Sequence, residues 1–171
     1  IGLLNYTGHG DQTTMVSGNF TTTNITNATN TNKYPWVISV ACNNGTFTSG
    51  TCISEAWLRA ASGYTPKGAI SACGSSILMA WAEPMQTQDE IAEIVSESYA
   101  NNKKRTIGGI FYNGQLSMLE QYNSASGREV MQTWVMFGDP STLFRNKVTQ
   151  TLTSSHVSSV AQSETSVTVT C

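Results

Sequence analysis

Two residues in this sequence have the side chains and the surroundings for nucleophilic chemistry. One is the histidine of Thr7-Gly-His-Gly10, and the other is the cysteine of Cys42-Asn-Asn-Gly45. A thiol attacks as its thiolate, and an imidazole can take that proton and return one to a departing amine. A Cys/His pair is therefore the minimum set for acyl transfer. His9 and Cys42 lie 33 positions apart, each close behind a short apolar run, with one crossover's worth of chain between them. Residues that leave the carboxyl ends of neighbouring strands in an open parallel sheet converge on one crevice. Gly8 and Gly10 let the backbone bend tightly around the imidazole. The N–H groups of Gly10 and Cys42 are expected to face a developing oxyanion, worth ~3–4 kcal/mol per donor. The competing structural reading is that a cysteine ending a buried strand is a small hydrophobe.

The elements that must position this pair are legible as apolar runs. Ile1-Gly-Leu-Leu-Asn-Tyr6 reads as a buried strand that stops at the Gly-flanked turn, and Tyr34-Pro-Trp-Val-Ile-Ser-Val-Ala41 reads as a central strand. Continuous rather than alternating hydrophobicity fits a parallel sheet covered on both faces. Ile53 to Ala61 has helical spacing, with Gly63 as a stop, and Gly68-Ala-Ile-Ser-Ala-Cys73 is a third strand. Helices are expected over Gln88 to Tyr99, with Ile91, Ile94, Val95 and Tyr99 on one face, and over Ile107 to Tyr122, with Ile110, Phe111, Leu116 and Leu119 in the core. Glu129 to Phe137 is compatible with helix or strand and ends in a turn at Gly138-Asp-Pro-Ser141. Alternating strands and helices define an α/β fold, a three-layer α/β/α sandwich with a mostly parallel sheet. A strand apolar from its first residue is expected to continue a fold whose earlier part lies upstream.

Composition narrows the partners. Charged residues make up 12% of the chain, and nine Lys plus Arg against eleven Asp plus Glu leave a net charge of −2. No basic block is present to neutralise phosphates, so nucleic acid is not expected as a partner. No apolar stretch reaches the ~20 residues of a membrane span. Surface polarity comes from Thr, Ser and Asn, above all over residues 21 to 32, a pattern that favours a secreted or cell-surface bacterial protein. Cys42, Cys52, Cys73 and Cys171 form no C-x-x-C pair and no zinc spacing, so no metal ligands are named. A disulfide among them stays open. His156 sits in a Ser/Thr-rich stretch and reads as solvated surface. From Lys147 onward Val alternates with Ser and Thr up to Ser166-Val-Thr-Val-Thr-Cys171, the pattern of a truncated all-β tail.

Asn5-Tyr-Thr-Gly-His-Gly10 followed by Lys33-Tyr-Pro-Trp-Val-Ile-Ser-Val-Ala-Cys-Asn-Asn-Gly45 resembles the catalytic core of the gingipain family, cysteine peptidases of family C25 with the caspase–hemoglobinase fold. The likeness continues, in order, through Trp81-Ala-Glu-Pro-Met-Gln-Thr-Gln-Asp-Glu90, Lys104-Arg-Thr-Ile-Gly-Gly109, Asn113-Gly114 and Thr133-Trp-Val-Met-Phe-Gly-Asp-Pro-Ser141. It implies a caspase-like catalytic domain over residues 1–146, its N-terminal part lying upstream. Residues 147–171 would then be a linker and the first strands of an incomplete immunoglobulin-like module.

The resemblance further implies an endopeptidase acting on protein or peptide substrates. Cys42 would be the nucleophile, His9 the general acid/base, and the Gly10 and Cys42 amides the oxyanion hole. Trp81 and Met85 match positions that wall the pocket for the residue before the cut, and Thr7 is grouped with them. A flat aromatic and a flexible thioether suit the aliphatic stem of a long side chain. Glu83, two residues after Trp81, is expected to pair with a basic substrate group. The alternative for Trp81 and Met85 is core packing, and for Glu83 solvated surface. In arginine-specific relatives the pocket carboxylate and the acid that orients the histidine lie upstream of the histidine, outside this sequence, so an Arg or Lys preference is not assigned. Asp139 reads as a turn residue. No cofactor is expected for catalysis. Family members bind calcium structurally, which allows a structural calcium here although no D-x-D-x-D-G loop is legible. The alternative function is a catalytically silent or adhesive surface protein that keeps the peptidase fold.

Overall fold

The computed structural model describes residues 2–147 and 153–169. In chain order the elements are β1 (Leu3–Thr7), the paired strands β2 (Thr14–Met15) and β3 (Phe20–Thr21), α1 (Thr22–Thr26), β4 (Trp36–Val40), α2 (Ile53–Arg59), the paired strands β5 (Ala61–Ser62) and β6 (Thr65–Pro66), β7 (Ser71–Ser75), α3 (Ala82–Val95), α4 (Ile107–Gln121), α5 (Ala125–Thr133) and β8 (Trp134–Gly138).

The main sheet has the order β1-β4-β7-β8. β1 and β7 flank β4 in parallel, with Leu3 level with Trp36, Thr7 with Val40 and Ile38 with Cys73. β8 closes the far side antiparallel to β7, with Ser75 opposite Trp134. All five residues of β4 are buried, as a continuous apolar run between two helical layers requires. Even-numbered β4 residues Trp36, Ile38 and Val40 meet Ile91, Ile94, Ile107, Ile110, Phe111 and Met118 from α3 and α4. Val37 and Ala72 face the other way, onto Ile25 of α1 and Ile53 and Trp57 of α2. Helices therefore cover both faces, and the expected three-layer α/β sandwich with a mostly parallel sheet is observed.

Several boundaries differ from those read from the sequence. β1 is half-buried rather than buried, since its neighbour in the described sheet lies on one side only. Its expected first residue, Ile1, is outside the described residues. α3 starts at Ala82 rather than Gln88, because Pro84 falls in the first turn, where a missing N–H breaks no helical hydrogen bond. The helix ends at Val95. Glu97 adopts φ +57°, its N–H donating to Ile94 O and that of Ser98 to Glu93 O, a left-handed stop that leaves Tyr99 outside. Tyr99 instead donates its hydroxyl to Glu90, and Leu116, expected in the core, is exposed. The ambiguous segment is both things in turn, α5 up to Thr133 and β8 from Trp134.

Asp139 shapes the turn after β8. Its carboxylate accepts from Ser141 Oγ at 2.7 Å and Ser141 N at 2.8 Å, and these bonds hold its carboxyl below the ordinary value. Residues 153–169 are exposed and contain no named strand. The last two residues of the expected tail strand lie outside the described residues.

Candidate active site

The parallel ladder sets the geometry of the site. Thr7 is level with Val40, and Gly8 N continues the ladder by donating to Val40 O at 3.1 Å. His9 and Cys42 each follow two residues later, so they leave neighbouring strands at the same level. Side chains alternate along a strand, and Leu3 and Val40 both pack on the α3/α4 side. Continued by even steps, that alternation puts His9 and Cys42 on the same side of the sheet. Trp81, the N-cap residue of α3, is their common neighbour. Its ring meets the His9 imidazole edge-on with centroids 5.5 Å apart, and it lines a narrow depression with Gly8, Ala41, Cys42 and Met79.

The backbone around His9 is tightly held. His9 N donates to Ser17 Oγ at 3.0 Å, and His9 O accepts from Tyr6 Oη at 2.7 Å and from Val16 N at 2.8 Å. Tyr6 Oη in turn accepts from Ser17 N. Gly10 packs directly on the cysteine turn: a Cβ there would sit 2.7 Å from Ala41 Cβ and 2.8 Å from Cys42 O, so no side chain fits. Among the described residues, neither the Gly10 nor the Cys42 N–H donates to another protein group.

Cys42 is half-buried, whereas Cys52 and Cys73 are buried. Loss of solvent pushes the Cys52 thiol up to about 11 and that of Cys73 up to about 12, so both stay protonated at neutral pH. The Cys42 sulfur accepts from Met79 N–H at 3.3 Å, a contact that fixes its position and that sequence reasoning did not anticipate. None of these three cysteines is bridged, and Cys171 lies outside the described residues.

The pocket candidates divide. Trp81 and Met85 are both exposed, one helical turn apart, with Met85 N donating to Trp81 O; the core-packing alternative does not hold for them. Glu83 lies between them in the first turn of α3 and is half-buried. Thr7 lies at the end of β1 and donates its hydroxyl to Gln88 Oε1 at 2.8 Å. Gln88 Nε2 donates to Asn5 Oδ1 and Tyr6 O, so Thr7 is tied to α3. A larger cavity of about 460 Å³, lined by Lys103, Arg105, Phe144 and Lys147 among others, contains neither His9 nor Cys42. Phe144 meets Trp36 at the start of β4, which places that cavity at the opposite end of the sheet. His156 is exposed.

An α/β sandwich with a half-buried thiol and an imidazole at the carboxyl edge of adjacent parallel strands defines the caspase-like class of cysteine peptidase folds. Within that class the chain belongs to Peptidase family C25, whose model matches residues 1–145. It is 40% identical over 172 aligned residues to Gingipain R1 of Porphyromonas gingivalis, covering 100% of this chain and 17% of that protein. To Gingipain R2 of the same species it is 44% identical over 149 residues, or 86% of this chain and 20% of the relative. The crystal structure of the Arg specific cysteine proteinase gingipain R superposes with a TM-score of 0.85 at 40% identity, covering 94% of this chain and 37% of that one. The chain thus spans a fifth or less of the curated relatives and under two fifths of the solved one.

Proposed function

We propose that this chain carries the dyad of a cysteine endopeptidase, with Cys42 as nucleophile and His9 as general acid/base. The observation that carries the reading is the shared level and shared side of these two residues at the sheet edge. His9 takes the thiol proton, and the Cys42 sulfur attacks the peptide carbonyl carbon. The carbonyl oxygen becomes an oxyanion facing the Gly10 and Cys42 amides, which have no other acceptor among the described residues. Collapse breaks the C–N bond, and the imidazolium gives its proton to the leaving amine. Water, deprotonated by His9, then hydrolyses the thioester and restores the thiol. No step needs a cofactor.

The residue before the cut is proposed to be basic. Trp81 and Met85 offer one exposed edge suited to a long aliphatic stem, and the solved relative is described as Arg specific. Thr7 borders the same rim through its bond to Gln88. Residues 1–146 are proposed to be part of the catalytic domain, and residues 147–171 a linker into an immunoglobulin-like module, in a secreted or cell-surface protein. No helix among the described residues is long and apolar enough to cross a membrane. The described residues contain no group of three or more His, Cys, Asp or Glu placed to hold a metal ion.

The test uses the full-length protein. Cys42→Ala is expected to abolish cleavage of Arg- and Lys-containing peptides and labelling by peptidyl electrophiles, with an unchanged circular dichroism spectrum. Undiminished cleavage by that variant would overturn the assignment.

A further inference from the structure

We infer that Asn44 is a positioning residue that holds the Gly10 amide and the His9 turn against the Cys42 turn, an inference that rests on the catalytic reading of that site. Asn44 is fully buried, two residues beyond Cys42, and every polar atom of its side chain is engaged. Its Oδ1 accepts from Ser39 Oγ at 2.7 Å. Its Nδ2 donates to Asp11 O at 2.5 Å and to Thr14 O at 3.1 Å. Its backbone O accepts from Ser54 N at 3.1 Å. One amide therefore joins β4, the cysteine turn and the hairpin that follows His9.

The same amide forms part of the seat of Gly10. A Cβ on Gly10 would lie 2.8 Å from Asn44 Nδ2, and Gly10 is bridged to Met15 across the hairpin that Asn44 grips. The pattern required is two donors toward backbone carbonyls and one acceptor toward a hydroxyl, and only a side-chain amide of this length supplies it. An aspartate would turn a carboxylate oxygen onto two carbonyl oxygens. An alanine would leave the Asp11 carbonyl and the Ser39 hydroxyl without this partner. Either change frees the hairpin to shift relative to the thiol, and the oxyanion donor moves with it.

The experiment compares Asn44→Asp and Ser39→Ala with the unaltered full-length protein. Misplacement of a donor by an ångström costs about 10²-fold in turnover, so Asn44→Asp is expected to lower kcat by about 10² or more with KM changed less than about threefold. Ser39→Ala, which removes only the bond to Oδ1 and is the milder replacement should Asn44→Asp not fold, is expected to lower kcat by about three- to tenfold with KM unchanged. Amide exchange read residue by residue is independent of activity. The Asp11 and Val16 amides are expected to exchange at least about tenfold faster in Asn44→Asp while those of β7 and β8 are unaffected. Unaltered kcat, or unaltered exchange in the hairpin, would overturn the positioning role. Absence of cleavage and of Cys42 labelling in the unaltered protein would instead overturn the catalytic reading, and exchange would still decide whether Asn44 holds the hairpin.

Discussion

Cys42, Cys52 and Cys73 carry the same thiol in different surroundings, and the surroundings decide what each can do. Cys73 sits inside β7 among the side chains of the α3/α4 layer, and Cys52 is buried before α2. Only a thiolate attacks, so these two are silent near neutrality, while Cys42 stands at an open edge. Iodoacetamide at pH 7.5 on the native protein is accordingly expected to modify Cys42 at least about 100-fold faster than Cys52 or Cys73. Mass spectrometry of the labelled peptides checks this, and comparable rates at all three would sink the site assignment. His9 and Cys42 were legible because each closes an apolar run, a pattern visible without coordinates. Asn44 and the Met79 amide were not. The hairpin carbonyls that Asn44 Nδ2 meets, and the sulfur that the Met79 amide meets, lie 30 or more positions away, and nothing in the local pattern announces those contacts.

At the scale of elements, the platform beneath the site depends on how closely α3 and α4 approach. Gly114 allows that approach: a Cβ there would lie 2.9 Å from both Thr87 Cγ2 and Thr87 O and 3.0 Å from Ile91 Cγ1. Alanine at this position gains helix propensity of ~1 kcal/mol but overpacks a contact whose neighbour is partly backbone, so Gly114→Ala is expected to lose about 1–2 kcal/mol net. Urea unfolding measures it, and a more stable variant would show that the two helices separate freely. The apolar runs read as strands did form strands, because burial on both faces leaves a continuous signature that survives without tertiary information. Helix ends were less legible. α3 begins on a turn containing a proline and no apolar stripe, and it stops at Glu97, a residue whose left-handed backbone is unannounced by its type. Leu116 shows the limit of periodicity on α4, where the glycines blur which side faces the sheet.

For the molecule as a whole, the two buried thiols set an alkaline limit. Each has a folded-state value raised above the ordinary 9.0, to about 11 for Cys52 and about 12 for Cys73. The sign follows directly. Below pH 9 both are protonated folded or unfolded, so stability is insensitive to them. Above it the unfolded chain loses these protons first, and stability falls until the folded-state values are passed. At pH 10, one unit above the ordinary value, the loss is on the order of 1 kcal/mol per thiol. Urea midpoints at pH 8 and pH 10 check this, and replacing both cysteines with alanine should remove most of the difference. If the difference persists in that variant, the thiols are not its source. The architecture also separates two quantities that are easily confused, the length of a connection and the spacing of the groups it joins. The gap between the imidazole and the sulfur is ruled off by the rungs between β1 and β4 and by the clasp of residues 11 to 17 on the His9 turn, not by the Thr- and Asn-rich outer bend that follows α1. That outer bend is a spacer, free to be lengthened or recomposed without altering the pitch of the reactive pair.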